Sequence, residues 1–344
     1  MSARELQGKE GGAGGGRDYE TVTPTGQLDV PVKGNEVLSN ILYDCTASNA
    51  TVNIKLFGSA SVVNVGIKGQ NEAAIKDNDG RRHGLHINSS GQTLVDNFYL
   101  GDGSLPGHEH GGFIARNSKG TTTFRHLNIQ NFPDNGIYGS TPGKQNNGYE
   151  IHFRNSYIRN CVSGMYRLSS GTIENCTAIT DAAPPNKIRN KDRGPGKEVG
   201  TTTNANRGVW VRNNGNVKIT NSDFYHPHTS NIASILADGG SRVSVSNSRF
   251  GPMAKADWGK GNVTFDAQCG GNPSQAAPNG VPLTAEEAAS GTSSADGTKI
   301  PPQGISGGPG LSGQEAQNTI GTETGVPFET PVGVPKEEGQ RYVK

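Results

Sequence analysis

Residues 124–140, FRHLNIQNFPDNGIYGS, contain both kinds of segment from which much of the chain is built. The first kind, FRHLNI, is a short strand-like run with a polar residue, His126, in its middle. The second kind, NGIYG, is a shorter run that begins with Asn and Gly. Because apolar and polar residues alternate over only a few positions next to turn residues, the stretch predicts two short β-strands joined by a bend.

The first kind of segment recurs along the chain, usually with an Asn just after a strand. The copies are VVNVGI (62–67), VDNFYL (95–100), FRHLNI (124–129), FRNSYI (153–158), TIENCTAI (172–179), KITNSDF (218–224) and VSNSRF (245–250). The shared polar positions are Asn64, Asn97, Asn155, Asn175, Asn221 and Asn247, with His126 in the equivalent place. An Asn repeated at a bend predicts side chains that stack along an inner turn and hydrogen-bond to one another.

The second kind of segment lies between these copies. It is found as HGLHI (83–87), GGFIA (111–115), NGIYG (135–139), SGMYRL (163–168) and RGVWVR (207–212). The glycines that align these segments are Gly84, Gly112, Gly136, Gly164 and Gly208. Short strands that recur about every 25 residues are typical of a solenoid. The alternative, a β-sandwich or barrel, would show hairpin signals and no fixed offset between the Asn and Gly positions.

Three stretches carry a likeness to a known family: NVGIKG (64–69), GFIARNSKGTTTFRHLNIQNFPDNGIYGS (112–140) and RLSSGTIENCTAIT (167–180). Together they resemble right-handed parallel β-helix, pectate-lyase-like proteins of the type encoded by haloarchaea and haloarchaeal viruses. The likeness covers roughly residues 18–252. It implies an all-β fold, a single right-handed parallel β-helix. The composition is less acidic than is usual for haloarchaeal proteins.

Composition divides the chain into three parts. The hydrophobic fraction is 31%, with 50 glycines and 19 prolines in 344 residues, which suits a thin core with many turns. Residues 1–17 are predicted to be a flexible arm, and residues 18–270 the β-helix with an excursion at about 180–205. Residues 271–344 lack apolar periodicity and are predicted to form an extended tail that docks in an assembly.

Charge and cysteine usage exclude several classes of protein. The formal net charge is +1, so an extended nucleic-acid surface is not expected. The sequence contains no recognisable signal peptide or membrane span. No two cysteines form a CxxC pair, which argues against a zinc site. Cys161 and Cys176 lie in neighbouring strand-like segments, so they are expected either as buried free thiols or as a disulfide.

The stretch GHEHGG before the second strand-like run supplies the first candidate site. The glycine alignment puts His110 and Asp134 at one repeat position, with His108 and Glu109 in the turn just before. Two imidazoles and two carboxylates could bind a divalent metal or cleave a glycan, with Glu109 and Asp134 as the acids. A solvated polar turn explains the same residues. No cofactor is expected, apart from a divalent cation that His108 and His110 could bind.

The second candidate site is a row of side chains on the outer face of the Gly-aligned strands. Alternation predicts that His86, Ile114, Tyr138, Tyr166 and Trp210 point outward. Stacked aromatic rings of this kind suit the binding of sugar rings, so His86, Tyr138, Tyr166 and Trp210 are candidate glycan-binding residues. If Arg167 points outward instead, Tyr166 belongs to the core.

Arginines, among them Arg167, Arg207 and Arg212, are scattered through the repeats and are expected on a solvated face or in contact with acidic glycans or nucleic acid. The HPH run at 226–228 is expected to be a polar turn.

These features predict a non-enzymatic virion surface protein, such as a spike, turret or fibre component, at the extracellular surface. Its solenoid face would bind a host glycan or glycoprotein, and its arms would contact other virion proteins. A homo-oligomer, trimeric or pentameric, is expected. One alternative is a polysaccharide lyase or glycoside hydrolase, although the repeats lack the clustered aspartates of such enzymes. A purely structural capsid or tail decoration protein is the other.

Overall fold

The computed structural model describes residues 19–71, 82–104, 110–115, 119–140, 149–161, 165–182, 207–227, 234–238, 240–251 and 261–292. These residues all belong to one compact unit, Met1–Ile300. The predicted arm at 1–17, most of the excursion at 180–205 and the tail after 292 therefore lie outside the described residues.

The described strands form two long sheets, and their pairing is parallel throughout. In the first half of the chain, consecutive strands alternate between the two sheets. Parallel pairing of this kind confirms the all-β prediction and argues against the sandwich or barrel alternative, which requires antiparallel hairpins.

The first sheet contains β1 (Glu20–Val22), β3 (Val37–Asp44), β5 (Ser61–Lys68), β7 (Gln92–Leu100), β9 (Gly120–Gln130), β11 (Tyr149–Arg154), β12 (Tyr157–Arg159), β14 (Gly171–Glu174), β15 (Thr177–Ile179), β17 (Asn216–Thr220), β18 (Asp223–Tyr225), β20 (Arg242–Ser246), β21 (Arg249–Phe250) and β22 (Asn262–Phe265). The second sheet contains β2 (Gln27–Val32), β4 (Thr51–Gly58), β6 (Arg82–Ser89), β8 (His110–Ala115), β10 (Ile137–Tyr138), β13 (Tyr166–Leu168), β16 (Val209–Val211) and β19 (Ile235–Ala237). One helix, α1 (Ala285–Ser290), lies among the described residues.

The repeated Asn positions are the points where the first sheet bends. Every one of them has a left-handed backbone conformation, with φ between 43° at Asn247 and 56° at Asn64. Non-glycine residues rarely adopt this conformation, and Asn is among the few that tolerate it. His126 shares it, with φ 51°, and Asn40 adds an earlier copy with φ 55°. The sequence alignment of these positions is therefore confirmed.

The bend residues also form a ladder of side-chain hydrogen bonds. The Nδ2 atoms of Asn64, Asn175 and Asn247 donate to the preceding Oδ1 at 2.9, 2.7 and 2.7 Å. The predicted stacking is confirmed, but the location is wrong, because these side chains lie at the surface and not in an inner turn. The ladder is broken between Asn97 and His126. Asn155 Nδ2 lies 3.3 Å from His126 Nε2, whereas within the described part of the chain Asn97 Oδ1 is buried without a hydrogen-bond partner.

The core lies between the two sheets and is built from residues that alternate along each strand. Its aromatic part stacks between neighbouring repeats, with the Phe124 and Phe153 ring centres 4.9 Å apart and Tyr166 packed edge-on to Phe153. Cys161 and Cys176 are buried in this core as free thiols, so the disulfide alternative is wrong. Burial raises the pKa of both thiols to about 12, which keeps them protonated and unreactive.

Residues 271–292, here called the return segment, pack against the repeats of the same chain, which corrects the prediction of an extended, assembly-docking tail for this part of residues 271–344. The segment passes the repeats in reverse order along the outer side of the bends. Thr177 Oγ1 donates to the Ala276 carbonyl, Asn128 Nδ2 to the Pro282 carbonyl and Asn97 Nδ2 to the Ala288 carbonyl, at 3.2, 2.8 and 3.0 Å. These contacts satisfy polar groups on both sides and hold the segment against the sheet.

Helix α1 ends the return segment and packs on apolar residues of the first sheet. Its buried face consists of Ala285, Ala288 and Ala289, which contact Leu42 and Tyr99. Small side chains are required here because the backbone comes very close to the sheet. A Cβ added at Gly66 would overlap the Ala285 carbonyl oxygen.

Ala288→Glu is expected to release α1 from the sheet. Ala288 is fully buried, and a carboxylate in its place would lose its hydration without gaining a partner. Hydrogen exchange measured by mass spectrometry should then be much faster over residues 285–291 and little changed in β9. Glu286→Gln is the matched control on the same helix. It removes an ion pair with Lys68 whose side chains are both more than 40% exposed, so its effect should be small. Equal protection in the two variants would contradict this account.

Candidate functional site

The first candidate site lies mostly outside the described residues. His108 and Glu109 are not among them, and for His110 only the backbone is described, as the first residue of β8. Asp134 is buried, and its Oδ1 accepts a hydrogen bond from Asn135 Nδ2 at 2.9 Å. In the described part of the chain, no group of three or more His, Cys, Asp or Glu side chains could hold a metal ion.

The strand register confirms most of the glycine alignment. Arg82 pairs with His110 and His83 with Gly111, as expected. The alignment fails at one repeat, because Ile137 pairs with Tyr166 and Tyr166 pairs with Val209. Met165 therefore occupies the position that the sequence pattern assigned to Gly164.

This shift of one residue corrects the predicted outward row. Register places His86, Ile114, Tyr138, Arg167 and Trp210 at one position of neighbouring strands. Tyr166 is a core residue and not an outward one: it has no exposed surface, and its hydroxyl donates to the Ser156 carbonyl at 3.0 Å. Tyr166 is therefore excluded as a glycan-binding residue. Arg167 occupies its position in the outward row, as the alternative interpretation allowed.

Arg167 is sandwiched between the two aromatic rings of this row. Its Cζ lies 3.9 Å from the centre of the Tyr138 ring and 4.2 Å from the centre of the Trp210 ring. Paired parallel strands lie about 4.8 Å apart, so side chains at one register position stack naturally. Arg167 Nε also donates to Ser140 Oγ at 2.9 Å. The cation is thus held between two π-faces, an arrangement that stabilises it by about 1 kcal/mol or more per ring when water is excluded.

Trp210 also contacts two further arginines and one carboxylate. Arg207 Cζ and Arg212 Cζ lie 4.3 and 4.8 Å from the centre of its ring. Its Nε1 donates to Asp238 Oδ2 at 3.0 Å, and Arg212 Nε lies 3.1 Å from the same oxygen. We call Tyr138, Arg167, Arg207, Trp210, Arg212 and Asp238 the Trp210 group.

The Trp210 group has a buried part and an accessible part. Tyr138 and Arg167 are only 4% and 2% exposed, although both point away from the core between the sheets. Trp210, Arg212 and Asp238 keep part of their surface in contact with solvent. A ligand could therefore reach the indole, one guanidinium and the carboxylate, while the inner residues hold these groups in place.

Comparison with known proteins found no family model, no curated protein and no solved structure that matches this chain. Across the described residues, no helix combines the length and the apolar character needed to cross a membrane.

Sequence reasoning missed the arginines as members of this site. It expected Arg167 and Arg207 on a solvated face, whereas both are buried. The sequence did carry a signal for this contact. In the correct register, Arg167 lies between Tyr138 and Trp210 at the same position of neighbouring strands, where the three side chains must stack. His86, the other residue predicted for this row, is half-buried in β6.

A second polar cluster lies on the outer face of the first sheet, around Asp96. Arg125 Nη2 donates to Asp96 at 2.6 Å, and His126 Nδ1 lies 2.9 Å from the other carboxylate oxygen. Burial acts to raise the pKa of Asp96, but the hydrogen bond from His126 and the charge of Arg125 outweigh it and hold the pKa below its ordinary value. Asp96 is therefore an ionised partner of Arg125 and His126 and is unsuited to act as a general acid at neutral pH.

His226, expected in a polar turn, is buried in the core, where its Nδ1 lies 3.1 Å from Thr180 Oγ1. Burial lowers the pKa of His226 to about 3. In the unfolded chain the pKa is about 6.5, so between these values only the unfolded state binds the proton. The free energy of unfolding is therefore expected to fall as the pH drops from about 6.5 towards 3, by at most about 1.4 kcal/mol per pH unit.

Urea unfolding at several pH values between 7 and 4 measures this dependence. His226→Gln should flatten it, because glutamine does not titrate. His152→Gln changes a partly exposed histidine on the first sheet and is the control. It should not alter the part of the pH dependence of the unfolding free energy that comes from His226. A His226→Gln protein with the same pH slope as the parent would contradict the assignment.

Proposed function

We propose that the two sheets are faces of one right-handed parallel β-helix, and that the protein is a non-enzymatic virion surface protein that binds a host glycan. The parallel strands β3 and β5 are connected through β4 of the other sheet, and later repeats keep this connection. Crossovers between parallel strands are right-handed in about 98% of cases, which supports this handedness.

The course of the return segment is the observation that best supports an attachment function. Gly270 N donates to the Ser248 carbonyl near the last repeats, and Gly291 lies against Asn64 near the first ones. Tyr19, the first described residue, packs in the same cluster as helix α1. The described residues therefore begin, at Tyr19, and end, at Thr292, at the end of the fold formed by the first repeats. Two low-complexity segments that start from one end suit an anchor in a larger assembly.

The Trp210 group lies towards the opposite end of the second sheet. Trp210 belongs to β16, and only β19 follows it in the order of that sheet. A protein anchored at its first repeats would therefore present the Trp210 ring far from the anchor. The ring is partly accessible and held rigidly, which is how aromatic side chains bind sugar rings at a small entropic cost.

Binding of the purified full chain to a glycan array, with analysis of the glycans afterwards, tests this function. We expect binding without release of reducing or unsaturated ends, and loss of binding in Trp210→Ala. His152→Ala, on the outer face of the first sheet, is the control and should bind as the parent does. Released ends that disappear in Glu109→Gln would show a polysaccharide-cleaving enzyme instead. No glycan signal at all would favour a purely structural decoration protein.

A further inference from the structure

We infer that the return segment couples the last repeats of the fold to the first ones, so that the repeats unfold as one unit. This inference does not depend on the proposed glycan binding. In a stack of parallel strands each repeat contacts only its neighbours, and the stability of the stack is approximately a sum of repeat and nearest-neighbour contributions. The two ends of such a stack can therefore open separately, unless another part of the chain connects them.

The last repeats have little strand pairing of their own. β21 pairs with β18 over two residues and β22 with β20 over four, whereas β9 pairs with β7 over eight. Phe250 and Val263, at this end of the core, are each 9% exposed, while Phe124 in a middle repeat has no exposed surface. A terminal repeat with few pairs and a partly exposed core is the part of a stack that opens first.

The return segment is attached to these last repeats where it begins. Gly270 N donates to the Ser248 carbonyl at 2.9 Å, and Cys269 Sγ donates to the Val245 carbonyl at 3.4 Å. The three hydrogen bonds that the sheet then donates to the segment join residues 99, 154 and 191 positions apart in the chain. The segment therefore links repeats that are not neighbours in the sheet.

One row of side chains on the first sheet fits the segment along its length. Strand register places Tyr99, Asn128, Tyr157 and Thr177 at one position of neighbouring strands, and each is at most 3% exposed. The two polar residues donate to carbonyls of the segment, and the two rings pack in clusters with its apolar residues. Since buried amide and hydroxyl groups need partners, this row fits a segment that offers carbonyls at these positions.

Native-state hydrogen exchange of the full chain, measured by mass spectrometry at increasing urea below the unfolding transition, tests the coupling. In the parent, amides of β3 near one end and of β20 near the other should reach the same exchange rate as global unfolding takes over. Val281→Asp places a carboxylate in the apolar cluster of Tyr157 and should release the middle of the segment. We then expect β20 to exchange at least about tenfold faster than β3, as separately opening units do.

Asn279→Asp is the matched control, because Asn279 is an exposed residue of the same turn, which the hydrogen bond from Val281 N to the Pro278 carbonyl closes. This variant should leave β3 and β20 exchanging together.

A second test needs no substitution of a buried residue. A protease site inserted between Gly270 and Gly271 allows the folded chain to be cut where the segment leaves the last repeats. The insertion is compatible with the fold, since a Cβ added at either glycine would meet no atom within 4 Å. Cutting should separate the exchange of β20 from that of β3, as Val281→Asp does, and the uncut protein should behave as the parent.

Two results would overturn the inference. If β3 and β20 still exchanged together after cutting, the sheets alone would couple the two ends. If they already exchanged separately in the parent, the ends would not be coupled at all. Should circular dichroism show that Val281→Asp does not fold, the comparison of cut and uncut protein decides the question.

Discussion

Gly171→Ala is expected to destabilise the protein by more than about 4 kcal/mol, enough to prevent folding of the affected repeats. Gly171 begins β14 with φ 133°, a backbone conformation that residues other than glycine rarely adopt. It also pairs directly with Ile151 of the neighbouring strand. A Cβ at this position would overlap the Ile151 carbonyl oxygen and lie 2.6 Å from the carbonyl carbon. Both atoms belong to the backbone, so the clash can be relieved only by separating two paired strands.

Gly270→Ala separates the clash from the strain in the backbone. Gly270 has almost the same conformation, with φ 139°, but an added Cβ would meet no atom within 4 Å. Its replacement should therefore cost only the strain of the unusual conformation, about 1–3 kcal/mol. The midpoints of urea unfolding, followed by circular dichroism, give the comparison. If the two variants lost equal stability, close packing of β11 on β14 would not be the reason for glycine at position 171.

The bend positions could be predicted from the sequence because their cause is local. A residue with a left-handed backbone conformation is usually Gly, Asn or one of a few others. The residue type at Asn64, Asn97 and the equivalent positions therefore indicates the bend directly. His126 was also recognised, from its place in the pattern. Its consequences, a gap in the ladder and contact with Asp96, depend on neighbouring strands and could not be read from one segment.

The return segment was missed because its packing does not need large apolar residues. Ala285, Ala288 and Ala289 bury little surface each, yet they allow the helix to lie directly on the sheet. Hydropathy alone therefore described residues 271–292 as unable to pack. The chain did carry a helix signal: Thr284 and Glu287 have the spacing of a capping box, and Gly291 ends the helix in a left-handed conformation.

The candidate site was predicted in part, and the error has one origin. Two or more strand registers fit a short apolar run, and a slip of one residue exchanges the inner and outer faces. At SGMYRL the slip exchanged Tyr166 with Arg167, so an expected row of aromatic rings became a row of rings with a cation between them. Trp210 and Tyr138 kept their predicted positions because Gly136 and Gly208 are in register with the core strands around them.

Asp181→Asn is expected to cost about 3–5 kcal/mol of stability, the second large effect. Arg159 is the largest fully buried side chain of the described residues, 1% exposed, and forms a two-pronged contact with Asp181. Its Nε donates to Oδ1 at 2.8 Å and its Nη2 to Oδ2 at 2.7 Å. Asparagine retains one oxygen but removes the negative charge, so the buried guanidinium would lose the carboxylate charge that Asp181 supplies.

The pair Arg249–Asp223 provides a control with the same geometry in a different environment. Arg249 Nε and Nη2 both donate to Asp223 at 2.6 Å, but the Arg249 side chain is 50% exposed. Water can solvate this guanidinium once the carboxylate is neutralised, so Asp223→Asn should cost about 1 kcal/mol or less. Urea unfolding measures the stability of both variants.

A double variant, Arg159→Met with Asp181→Leu, completes the test. Since it removes both charges from the interior, it should recover most of the stability lost in Asp181→Asn. Equal losses in Asp181→Asn and Asp223→Asn would show that burial of Arg159 does not set the strength of the pair.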